Sequence, residues 1–132
     1  MTSYMEGLNR KEMISKARKR LLHFSDLYKL LGARYKVNAV TYDEQHMQNG
    51  YSNHAQKLLT QIEKNDERFE EIEIVMNAME LLDDEEAECL YLRHIAFSSV
   101  GQIGEILGKS RSATYTIMNE AYFKIAIILY GK

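Results

Sequence analysis

Met13, Ala17, Leu21, Phe24, Tyr28 and Leu31 recur three and four residues apart, the spacing that aligns side chains on one face of a helix. They predict a helix over residues 10–31. Gly32 follows in the C′ position, where glycine adopts a left-handed backbone without steric cost. Residues 32–52 lack a period and contain the turn signal Asn49-Gly50, so they read as a loop or linker. Ser52 or Asn53 can cap the next helix. Over residues 53–82, Ala55, Leu58, Ile62, Asn65, Phe69, Ile72, Met76 and Met79 form an a/d seam, which predicts a long helix able to pair in coiled-coil fashion. Asn65 is the one polar interruption.

Asp83 starts another helix. Glu86 stands three residues on, as in a capping box, and Ala87, Leu90 and Leu92 face inward through about Ile95. Phe97-Ser98-Ser99 breaks the pattern. Ser99 and Gln102 then open a short helix with Val100, Ile103 and Leu107 on one face, stopped by Gly108. Ser110 caps the last helix, from Arg111 to Tyr130, whose expected inward stripe is Thr114, Ile117, Ala121, Ile125 and Ile128. The connection of about three residues is that of a helix-turn-helix rather than of an up-and-down hairpin. Gly104, mid-helix, costs about 1 kcal/mol relative to alanine. A close crossing by the following helix would offset that. The prediction is an all-α fold: N-terminal helices with a long coiled-coil-like helix at 1–82, then a helix-turn-helix domain at 83–132.

Composition sharpens this picture. Proline is absent and 45% of the 132 residues are apolar, enough for a packed core. The single Cys89 excludes an internal disulfide and reads as a small core residue. No run approaches the roughly 20 apolar residues of a membrane span, and the start of the chain is too polar for a signal peptide. A cytoplasmic setting is expected. Net charge is −2 but strongly segregated: +6 over residues 1–36 and −10 over residues 65–90. Either basic end could meet a polyanion that the acidic middle would repel. Arg10, Lys11, Lys16, Arg18, Lys19 and Arg20 crowd the first half of the first helix, where they oppose its dipole. They read first as a solvated face. Arg18, Lys19 and Arg20 are also candidate phosphate contacts. The acids of residues 63–80 read as a solvated face or as a docking surface for a basic partner, the N-terminal helix included.

No constellation for catalysis stands out. His23, His46, His54 and His94 have no metal-ligand spacing, and there is no phosphate-binding loop. Asp83-Asp84 is explained by capping. No enzyme activity, metal or cofactor is expected. The chemistry that remains lies in the last helix, where Arg111, Ser112, Tyr115, Thr116 and Asn119 fall opposite the apolar stripe. Arginine can read guanine, asparagine adenine, and serine or threonine either bases or phosphates. Lys109, Ser110 and Arg111, with the helix N-terminal amides, can meet phosphates.

The end of the chain resembles the C-terminal helix-turn-helix of bacterial sigma factors. Leu90-Tyr91-Leu92-Arg93-His94 resembles their LxLR(Y/F) helix. Ile103-Gly104-Glu105 with Leu107-Gly108 is similar to their eIAexLG segment, and Ser110-Arg111, Ala121 and Lys124-Ile125 to their recognition helix. More narrowly, the layout resembles ArpU/RinA-type phage and prophage regulators. That resemblance implies an activator of late phage genes acting in a bacterial host cell, bound to double-stranded DNA by its second helix. One departure is that sigma recognition helices usually carry several arginines, whereas only Arg111 lies in the first turns here. A homodimer assembled on the seam helix would join two weak sites. The alternative from another class is a protein-binding module that contacts RNA polymerase or another host protein, including an inhibitory, anti-CRISPR-like role.

Overall fold

The computed structural model describes residues 2–34 and 67–131. Five helices account for them: α1 (Thr2–Arg34), α2 (Glu67–Glu80), α3 (Asp84–His94), α4 (Val100–Leu107) and α5 (Arg111–Tyr130). None is long and apolar enough to cross a membrane. The linker reading at 35–52, the turn at Asn49-Gly50 and the first half of the seam, Asn65 included, lie outside the described residues.

The fold is organised around α5, which packs against all four other helices, most extensively α1. The apolar face of α1 does this as its spacing predicts. Ala17, Leu21, Phe24 and Leu31 are wholly buried, Tyr28 nearly so, and Met13 half-buried. Complete burial of a side chain such as Leu21 or Phe24 contributes roughly 1.5–3 kcal/mol. Two boundaries differ from the sequence expectation. The helix begins at Thr2, and it passes through Gly32 to Arg34. Leu31 and Gly32 are both buried, so tertiary packing continues the helix across a residue that local preference would use as a stop.

The described half of the seam also has a different use. Ile72, Met76 and Met79 of α2 are buried in this chain's own core, with Phe69 half-buried against it. These positions do not present a free stripe to a second copy. One cluster of buried side chains runs from Ala17 of α1 to Ala126 of α5, so the core crosses the expected boundary at residues 82/83.

The helix ends follow local chemistry. The Asp83 amide donates to Glu86 Oε1 at 3.3 Å. Ser99 and Gln102 form the full reciprocal box, with bonds of 2.9 and 3.2 Å. Lys124 lies against Glu86 at 2.9 Å and Asp83 at 3.4 Å. These pairs tie the start of α3 to α5. The bond to Glu86 raises the Lys124 pKa above its ordinary value.

A polar linkage crosses the apolar core. His94 of α3, only 1% exposed, lies 2.8 Å through Nδ1 from Ser25 Oγ of α1 and 2.7 Å through Nε2 from Tyr122 Oη of α5. The Ser25 hydroxyl donates to the Leu21 carbonyl at 3.0 Å. With that proton committed, Nδ1–H donates to Ser25 Oγ, and Nε2 accepts from the Tyr122 hydroxyl. The imidazole is therefore neutral and joins three helices. Burial, assisted by the neighbouring Arg93 charge, lowers its pKa to about 3. Burial likewise pushes the Cys89 thiol up to about 12, assisted by Glu85 and Glu88, which leaves it a core residue.

Candidate nucleic-acid interface

The α4–α5 connection is built from its glycines. Gly108 takes the left-handed conformation, φ 68° and ψ 36°. The Gly108 amide donates to the Glu105 carbonyl at 3.3 Å, and the Lys109 amide donates to the Gly104 carbonyl at 2.8 Å. This is the Schellman pattern, in which the last carbonyls of α4 find partners. A Cβ on Gly104 would stand 2.9 Å from the Lys109 carbonyl oxygen and 3.0 Å from Thr114 Oγ1. Gly104 thus admits both the turn and the first turn of α5. Gly101 has no such demand, since a Cβ there would meet only Ser99 Oγ at 3.9 Å.

Ser110 starts α5 by accepting the Ala113 amide at 3.1 Å, so its hydroxyl is engaged as a cap. Thr114 is buried beneath the turn and donates to the Ser110 carbonyl at 2.8 Å. The stripe facing the core is Thr114, Met118, Ala121, Tyr122, Ile125 and Ala126. Ile117 is only half-buried and Ile128 is exposed. The buried stripe keeps Thr114, Ala121 and Ile125 and takes Met118, Tyr122 and Ala126 in place of Ile117 and Ile128, turning toward the side on which His94 of α3 and Arg18 of α1 meet Tyr122.

The polar set occupies the first half of the helix, partly in angular line with Tyr122 and Ala126, which are buried further along it. Arg111, Ser112, Tyr115 and Thr116 are exposed and Asn119 is half-buried. At about 100° and 1.5 Å per residue they occupy an arc of about 140° over about 12 Å of helix axis. Thr116 donates to the Ser112 carbonyl at 3.1 Å, which fixes its rotamer. The first turn of α5 contains no acid, so the positive end of its dipole is not neutralised from within the helix. Lys109 stands beside it, 3.6 Å from Glu85 across two exposed side chains, a spacing that leaves the lysine easily recruited elsewhere.

The basic helix distributes its cations differently from the sequence reading. Lys19 and Arg20 lie beside Tyr130, at the opposite end of α5 from Arg111. Arg20 bonds both oxygens of Glu71 at 2.8 and 2.9 Å, and this pairing raises its pKa above its ordinary value. Arg18 lies over the Tyr122 ring, 5.8 Å from its centre. Arg10, from the same basic cluster, is the cation of α1 that meets α5 beside Asn119. It pairs with Glu120 at 2.5 Å and stacks 4.1 Å from the centre of the Phe123 ring. Glu120 adjoins Asn119, so α1 borders the lower edge of the face. No local signal links residues 110 positions apart. Charge left the docking of basic α1 on acidic α2 open beside a solvated face; the structure pairs Arg20 with Glu71. No protein-family model, curated protein or solved structure matches the chain.

Proposed function

We propose that this chain is a sequence-specific DNA-binding regulator that inserts the first half of α5 into the major groove. The observation that carries the reading is the exposed set Arg111, Ser112, Tyr115, Thr116 and Asn119, on the second helix of a tightly closed helix-turn-helix. Arg111 and Asn119 have the donor-acceptor chemistry for base edges. Lys109, the acid-free first turn and, after release from Glu120, Arg10 suit phosphates. The ArpU/RinA-type likeness of the sequence motif supports a phage transcriptional role. A two-fold operator would require a dimer contact other than Ile72, Met76 and Met79, which are used internally.

A gel-shift series with sequences selected from random DNA tests the proposal. The expected result is a salt-sensitive specific complex that Arg111→Ala with Asn119→Ala abolishes, while the fold is retained. Unchanged binding by that variant would refute base reading by α5. The rival reading, a protein-binding module for RNA polymerase or another host protein, draws on the arginine-poor face and on Tyr115, a large ring 44% exposed at its centre. Failure to select any DNA, with capture of one partner lost on Tyr115→Ala, would favour it.

A further inference from the structure

At the far end of α5 from Arg111, three helices border an open groove of about 700 Å³. Lys16, Lys19 and Arg20 reach it from α1, Arg68 and Glu71 from α2, and Tyr130 from α5. Arg20 is paired there with Glu71 and Arg68 is itself engaged, so Lys16 and Lys19 are the cations that the recess presents most openly. Part of this wall is already ordered. Both oxygens of Glu71 hold Arg20, which donates a third bond to Tyr130 Oη at 3.2 Å. Those three bonds engage three of the five guanidinium N–H donors. The Lys16 ammonium lies 4.0 Å from the centre of the Tyr130 ring, and the Arg20 guanidinium 5.5 Å from it. The aromatic ring therefore fixes two cations, and cations rather than open space occupy its surroundings.

We propose that this groove binds a compact polyanion with adjacent phosphate groups, of the oligophosphate kind. Lysine ammonium groups meet phosphates as point charges, and the remaining guanidinium donors of Arg20 meet them directionally. Lysine and arginine flank Tyr130, and His23 is the other ring of the lining, so recognition rests first on the phosphates. The site is distinct from the proposed DNA face, since the groove lies about 28 Å along α5 from Arg111. The proposal is thus independent of DNA reading.

The test titrates the full-length chain with inorganic tripolyphosphate by isothermal calorimetry at low salt. One saturable site per chain is expected. Lys16→Ala with Lys19→Ala, both exposed positions, should weaken it at least about tenfold, the scale of one lost charge-assisted contact. Circular dichroism checks that the fold persists. Lys109→Ala with Arg111→Ala should bind as the parent does, which separates this site from the DNA face. Adenosine triphosphate binding no tighter than tripolyphosphate supports recognition through phosphates. A short single-stranded oligonucleotide that displaces tripolyphosphate at lower concentration than adenosine triphosphate does would identify an extended nucleic acid as the ligand and overturn the proposal. Absence of saturable binding, an undiminished Lys16/Lys19 variant, or tighter binding of a glutamate-rich peptide than of tripolyphosphate overturns it.

Discussion

His94 makes the stability of this protein acid-sensitive in a window set by one side chain. In the folded state its imidazole is neutral, with a pKa lowered from 6.5 to about 3. Between these values the unfolded chain binds a proton that the native chain does not, so unfolding is favoured as pH falls. The contribution is fully present above pH 6.5, and is lost at about 1.4 kcal/mol per pH unit as pH drops toward 3. At about pH 4.5 the loss is about 2.7 kcal/mol. Carboxylates also titrate there, so the comparison must cancel them. His94→Gln retains an amide for Ser25 or Tyr122 but has nothing to titrate. At pH 7 the variant should be less stable by roughly 1–3 kcal/mol, for one buried partner left unsatisfied. Urea unfolding of both proteins at about pH 7 and about pH 4.5 should show that gap close by about 2.7 kcal/mol, so that the curves meet or cross. Ring-proton chemical shifts should place the His94 midpoint below pH 4.5. A gap that stays constant between the two pH values, or a midpoint near 6, would refute the reasoning.

Four further substitutions have expected outcomes. Gly104→Ala should destabilise the chain by about 1–3 kcal/mol despite its better helix propensity, because the obstructing Lys109 oxygen belongs to the backbone; thermal unfolding measures this. Gly108→Ala should cost about 1–2 kcal/mol through its left-handed φ alone, since no atom lies within 4 Å of a Cβ there; denaturant unfolding that finds no loss would contradict it. Arg10→Ala should lower affinity for any selected DNA site and reduce the salt slope by about 1, similarly across sequences, whereas Asn119→Ala should relax one base position without changing the slope.

The sequence by itself determined the elements closed by short-range chemistry. Ser99 with Gln102, Gly108 in the left-handed region and Ser110 at the start of α5 each require only a few neighbouring residues, so the bounds of α4 and α5 could be read directly. The apolar face of α1 was legible for the same reason, because its partners lie three and four positions apart. Tertiary structure decided the rest. It selected Met118 and Tyr122 rather than Ile128 for the core, since an apolar helix leaves its facing angle open until neighbours pack. It used Ile72, Met76 and Met79 inside the chain, because a seam looks the same in sequence whether its partner is a copy or its own first helix. It carried α1 through Gly32, where burial outweighs a local stop. It also brought His94 to Ser25 and Tyr122, and Arg10 to Glu120, pairings between side chains on different helices that no periodicity encodes. Local hydrogen bonding fixes where α4 begins and ends and where α5 begins; the burial of helix faces fixes which residues meet, and at Gly32 it also overrides a local stop.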